Sequence, residues 1–220
     1  METLSKIVAG ATKVTLLGGG EVRESDLRAV LDLAPTLVCV DGGGNLAGDL
    51  GLKPAAIAGD FDSFDTPKAG FADVPRILME DQNYGDFDKT LAALPTVLTL
   101  AVGFLGARLD HQMAAITALS RAPGPVVLVG ARDVACIVPY RIEMVLTPGT
   151  RVSVWPLVPS RGRSTGLAWP IDGLTLDPQG RIGTSNVAEG GPVMIEVADG
   201  ELLLILPRQC LETLIDALVQ

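Results

Sequence analysis

At 220 residues and 48% hydrophobic content, the chain is long enough for one large domain or two small ones with a sizeable buried core. Its 17 Lys and Arg against 26 Asp and Glu leave a net charge of −9, which offers no basic surface to nucleic acid or an anionic membrane and suits a small cationic ligand better. No apolar run approaches the roughly 18 residues of a membrane span, and the N-terminus shows no signal-peptide cleavage pattern. Cys39, Cys136 and Cys210 are odd in number, widely spaced and set among apolar residues, so they read as buried thiols of a cytoplasmic protein.

Lys13 to Leu17 reads as a strand that ends at Gly18-Gly19-Gly20. The helix after it carries Leu27, Val30, Leu31 and Ala34 at amphipathic spacing, with Ser25 available as its N-cap, and Pro35 closes the unit. Thr36 to Val40 is a second buried strand, running into the glycine-rich Asp41-Gly42-Gly43-Gly44-Asn45. Neither glycine run matches the dinucleotide fingerprint G-x-G-x-x-G in register, so each is open to reading as a tight turn or as a phosphate loop.

The third strand, 55–58, delivers Gly59-Asp60-Phe61-Asp62-Ser63. Ligands of open α/β sheets bind outside the carboxyl ends of the strands. In a continued strand Asp60 and Asp62 would share a face, since side chains alternate with period two, and both would reach one cation. Mg²⁺ takes oxygen ligands and commonly one or two carboxylates, so the pair reads as a metal site, with an acidic turn as the alternative.

Asp81 to Lys89 precedes a helix in which Phe87, Leu91 and Leu94 share one face, and Asp86 falls at its N-terminus, where a carboxylate is favoured by the macrodipole. Thr96 to Val102 is a further strand, ending in a turn that crowds Arg108, Asp110 and His111 before a helix carrying Met113, Ile116 and Leu119. Arg108 is the strongest functional candidate of that turn, because its planar fork matches phosphate oxygens. Val126–Val129 and Cys136–Val138 close this half.

Beyond about residue 140 helical periodicity gives way to short strands with turn signals, which reads as a small all-β domain. These are 152–154, 174–176, 193–197 and 202–206, the last two joined across Asp199-Gly200 as an expected hairpin. Arg161-Gly162-Arg163 reads as an exposed loop. A closing helix has Leu211, Leu214, Ile215 and Leu218 at core spacing.

Taken in order, Asp41 to Asn45, Gly59 to Ser63, Asp81 to Lys89, Gly106 to His111, Gly166-Leu167-Ala168-Trp169 and Thr184-Ser185-Asn186 resemble the motifs of the thiamine pyrophosphokinase (thiamine diphosphokinase) family over nearly the whole chain. Gly85, Ala107 and Ala115 depart from that pattern, standing where Thr, Gly and Asn are usual. The resemblance implies an α/β fold: a mostly parallel, Rossmann-like catalytic domain over 1–139 followed by a β-sandwich thiamine-binding domain over 140–220. It implies transfer of the diphosphoryl group of ATP to the hydroxyl of thiamine. Mg²⁺ would lie on Asp60, Asp62 and Asp86, with Asp41 a further acidic ligand or an orienter of the hydroxyl.

Gly42, Gly43, Asn45, Lys89, Arg108, Asp110 and His111 would meet ATP. Gln82, Trp169, Ser185 and Asn186 would meet thiamine, Trp169 offering its face to the cationic ring unless it is core packing. A homodimer with active sites between subunits is further implied. The alternatives are another ATP-dependent diphosphotransferase and a thiamine-binding protein without catalysis.

Overall fold

The computed structural model describes residues 3–62, 71–81, 83–106 and 108–219. Ser63, Gln82 and Ala107 therefore lie outside the described residues. The chain divides into two units, Met1–Ala131 and Arg132–Gln220.

The strands of the first unit are β1 (Lys13–Leu17), β2 (Thr36–Val40), β3 (Ala56–Gly59), β4 (Arg76–Leu78), β5 (Leu98–Val102) and β6 (Val126–Val129). Its helices are α1 (Leu4–Ile7), α2 (Glu24–Leu33), α3 (Gly43–Asp49), α4 (Asp86–Ala93) and α5 (Leu109–Leu119). All neighbouring strands pair in parallel, in the order β6-β5-β1-β2-β3-β4. The inner strands are almost wholly apolar because helices cover a parallel sheet on both faces. Leu27 of α2 and Ala47 of α3 join Leu17, Leu37, Cys39 and Ile57 in one buried cluster. The chain starts mid-sheet at β1, builds outward through β4, then returns beside β1 for β5, so the strand order reverses between β1 and β5.

Two local expectations change here. Ser25 does not cap α2: the helix opens two residues earlier, with Arg23 at the N-cap and no side-chain cap bond, and Glu24 and Asp26 supply the first-turn carboxylates. The second glycine run also turns directly into α3, although glycine is a poor helix former. Packing explains this: a Cβ on Gly43 would lie 2.0 Å from the Leu17 carbonyl oxygen, so only glycine lets α3 start against the end of β1.

The second unit contains β7 (Asp133–Ile137), β8 (Arg141–Leu146), β9 (Arg151–Pro156), β10 (Ser160–Thr165), β11 (Thr175–Leu176), β12 (Gly183–Val187), β13 (Gly191–Asp199) and β14 (Leu202–Pro207), then a 3-10 turn and α6 (Leu211–Leu218). They form two antiparallel sets, β12-β9-β14-β7 and β11-β10-β13-β8. The expected hairpin across Asp199-Gly200 is not formed. β13 pairs with β10 and β8 while β14 pairs with β7 and β9, so the turn carries the chain from one sheet to the other. Alternation within a strand fixes which residues face the core but not the partner strand. Arg161-Gly162-Arg163 is not a loop but part of β10, and both arginines are exposed as expected. Asp133–Ile137 pairs with β14, so the division falls at Ala131/Arg132 rather than at 139/140. All three cysteines are free and buried.

Candidate active site

The ends of β2 and β3 are tied together. Asp41 has a positive φ of 42° and donates its N–H to the Ala58 carbonyl at 2.8 Å, while its own carbonyl accepts from Gly44 N–H at 2.9 Å as α3 begins. Gly59, at φ 154°, passes so close that a Cβ there would lie 3.0 Å from Asp41 Cβ. The strand stops at Gly59, and Phe61 takes a φ of 66°. The Asp62 N–H then donates to Asp60 Oδ1 at 3.2 Å. The period-two argument for Asp60 and Asp62 therefore fails, because the two carboxylates sit on a turn.

Asp86 comes from a third element, as the first residue of α4. Gly85 is the N-cap and contributes no side-chain bond. Phe87 anchors this helix end: it is buried and stacks on Phe104, beyond β5, with ring centroids 4.0 Å apart. Carboxylate oxygens of Asp41, Asp60 and Asp86 consequently lie within 4.8 Å of one another, and none of the three residues is exposed.

Of the expected Asp60, Asp62 and Asp86, the structure brings Asp60 and Asp86 together with Asp41, the residue expected as a further acidic ligand or an orienter of the hydroxyl, while Asp62 is exposed and lies outside this group of oxygens. Three hard oxygen donors drawn from separate elements suit a small divalent cation such as Mg²⁺.

Lys89 stands against Asp86, its side chain only 8% exposed. Its Nζ lies 2.7 Å from Asp86 Oδ1 and donates to the Met79 carbonyl, just beyond β4, at 2.9 Å. This pairing escaped the sequence reading, although the i, i+3 spacing of Asp86 and Lys89 on a helix is its signal. A cavity of about 450 Å³ is lined by Lys89 together with Tyr84, Asp88 and Arg121 among others. Arg121 forks onto Asp88 and sits over the Tyr84 ring, 5.5 Å from its centroid.

Among the other expected residues, Gly42, Gly43 and Asn45 lie where β2 passes into α3, beside Asp41. Arg108, Asp110 and His111 open α5, all exposed. The Arg108 fork closes on Asp110 at 3.1 and 2.6 Å and, with the His111 N–H, holds that carboxyl down at about 2.

Trp169, Ser185 and Asn186 belong to the second unit. Trp169 is 63% exposed, which excludes the core-packing alternative. Asn186 is buried beneath it: Oδ1 accepts the Trp169 N–H at 3.1 Å and Nδ2 donates to the Trp169 carbonyl at 2.6 Å. Both ends of the Asn186 amide are thereby engaged with backbone, so this residue positions Trp169. Ser185 is exposed at a positive φ of 60°, its N–H donating to Ser153 Oγ at 2.9 Å.

Residues 27–126 match the family model of the thiamin pyrophosphokinase catalytic domain. A search of curated proteins returns no match. Among solved structures, thiamin pyrophosphokinase from Candida albicans is similar at a TM-score of 0.75 and 16% identity, over 89% of this chain and 90% of that one. The yeast thiamin pyrophosphokinase is similar at 0.74 and 16% over 98% and 92%, and that of Geobacillus thermodenitrificans at 0.72 and 20% over 89% and 97%. At such identities the structural likeness speaks for the fold, and the family model speaks for the sequence around the carboxylates. Over residues 27–126 the chain is thus similar to the catalytic domain of thiamin pyrophosphokinases.

Proposed function

We propose that the protein is a thiamine diphosphokinase, transferring the diphosphoryl group of ATP to the hydroxyl of thiamine to give thiamine diphosphate and AMP. The observation that carries the reading is the convergence of Asp41, Asp60 and Asp86 inside the segment matched by the family model. These three carboxylates would hold Mg²⁺, which when bound offsets the charge of the polyphosphate and of the developing transition state. In the reaction the thiamine oxygen bonds to the β-phosphorus as the bond from that phosphorus to the α-phosphate oxygen breaks. AMP leaves, and the hydroxyl proton passes to water or to a neighbouring carboxylate.

The remaining residues bind and orient. Gly42, Gly43 and Asn45 line the approach to the cluster, and Arg108, at the start of α5, exchanges Asp110 for a phosphate. Trp169, held out by Asn186, offers a π-face to a cationic aromatic ring, and Ser185 a hydroxyl beside it. Gln82 is assigned to thiamine by its motif alone. We read the parallel sheet as Rossmann-like, the two antiparallel sheets as a sandwich, and the enzyme as a cytoplasmic homodimer with active sites at the subunit interface. At limiting thiamine, mixing Asp60→Asn with Trp169→Ala subunits should then give more activity than the average of the two unmixed variants.

The decisive assay is AMP release from Mg²⁺-ATP with and without thiamine. Release that requires thiamine supports the reading. Release driven equally by another alcohol would mark a different diphosphotransferase, and thiamine binding without release a binding protein.

A further inference from the structure

Resting on that reading, the surroundings of Asp86 carry one step more. Three carboxylates whose oxygens approach within 4.8 Å repel one another, and partial burial denies them full hydration. Compensation by a cation is needed, and the fold supplies one from within. Lys89 is nearly buried, and a second bond, to the Met79 carbonyl at 2.9 Å, holds its ammonium in place. Its approach to Asp86 Oδ1 at 2.7 Å has the distance of an ion pair, yet that oxygen receives no aligned hydrogen bond. The lysine therefore delivers a fixed positive charge to the edge of the cluster.

We propose that Lys89 is a built-in counter-ion of the carboxylate cluster, stabilising it in the metal-free protein and weakening its hold on a divalent cation that arrives without polyphosphate. With Lys89 present the group carries a net charge of about −2 instead of −3, so attraction for a dication at a few ångströms is reduced by the repulsion of one unit charge. A bound triphosphate adds oxygen ligands and negative charge and makes up the difference. Metal and nucleotide are thereby taken up together.

The test is Mn²⁺ binding to the full-length protein without nucleotide or thiamine, read from the free Mn²⁺ signal by electron paramagnetic resonance. Lys89→Gln removes the charge and, though shorter by one methylene, keeps a neutral N–H donor on the side chain. It should bind Mn²⁺ about tenfold tighter than wild type, whereas Lys89→Arg should stay within about twofold of it. Mg²⁺ should correspondingly raise the melting temperature of Lys89→Gln more than that of wild type. If Lys89→Gln fails to fold, Lys89→Met carries the same expectations.

Binding that is unchanged or weaker in the neutral variant, while Asp60→Asn still abolishes it, overturns the counter-ion role and leaves the metal site standing. Mn²⁺ binding indifferent to Asp60→Asn, or absent from every form even with a non-hydrolysable ATP analogue, overturns the metal reading itself and the inference with it.

Discussion

The first unit gathers three carboxylates, one of them paired with an ammonium, whereas the second sets one carboxylate between two guanidiniums. In the second unit Arg163 of β10, Glu196 of β13 and Arg141 of β8 are direct cross-strand neighbours. Arg163 approaches Glu196 Oε2 at 2.9 Å and Arg141 at 3.5 Å, while Arg141 also meets Glu143. The ladder compensates itself within a regular sheet, as opposite charges on paired strands do. The acidic group has no such regularity. Its members come from the ends of β2 and β3 and the start of α4, through backbone turned at Asp41 and Phe61. Like charge crowded at strand ends invites an external cation, and alternating charge along a sheet face needs none.

The largest expected effect removes that like charge. Asp41→Asn and Asp60→Asn should each lower the rate of AMP formation by about 10²-fold or more, the scale of losing one electrostatic stabiliser of a transition state. Asparagine tolerates the positive φ of Asp41, so melting temperatures should hold or rise as repulsion is relieved. A coincident collapse of fold and activity would assign these residues to structure.

Much of this site was legible in the sequence. Glycine runs and carboxylates after apolar strands placed it at the carboxyl ends of β2 and β3, and Asp86 was expected at a helix start, where it lies. What could not be read was set by backbone geometry. Gly59 and Phe61 break the strand that would have aligned Asp60 with Asp62, and Asp41, expected as a further acidic ligand or an orienter of the hydroxyl, is held at the end of β3 by the bond of its N–H to the Ala58 carbonyl. The start of α3 was hidden for a similar reason: Gly43 argues against a helix until its contact with the Leu17 carbonyl is known. In the second unit strand content was legible, but the sheet to which β14 belongs was not, since a D-G turn joins sheets as readily as hairpin strands.

Further predictions sharpen the contrast. Trp169→Ala should weaken thiamine binding roughly tenfold or more, with Trp169→Phe keeping part of it, and leave stability unchanged because the ring is exposed. Asn186→Ala should cost about 1–3 kcal/mol of stability, since the Trp169 N–H and carbonyl lose their partner and a buried side chain is removed. Calorimetry and thermal melts separate the two.

Gly43→Ala should cost about 1–3 kcal/mol by forcing α3 off β1, with activity lost in proportion as Asp41 is displaced. A fully stable, fully active variant would show that the close approach is dispensable.

The smallest effect belongs to the ladder. Hydrogen bonding and charge from Arg163 hold the Glu196 carboxyl below its ordinary value of 4.5. Its stabilising contribution is therefore present above that value and lost as pH falls through the lowered one. Wild type should lose slightly more melting temperature on acidification than Glu196→Gln, a modest difference because the arginines are exposed and screened. Identical acid profiles would remove the ladder from the account.

The most direct test of diphosphoryl transfer follows the phosphorus. ATP labelled at the β-phosphate should give labelled thiamine diphosphate and unlabelled AMP in equal amounts, with transfer abolished by Asp60→Asn. Labelled ADP, or label reaching thiamine undiminished in Asp60→Asn, would contradict it.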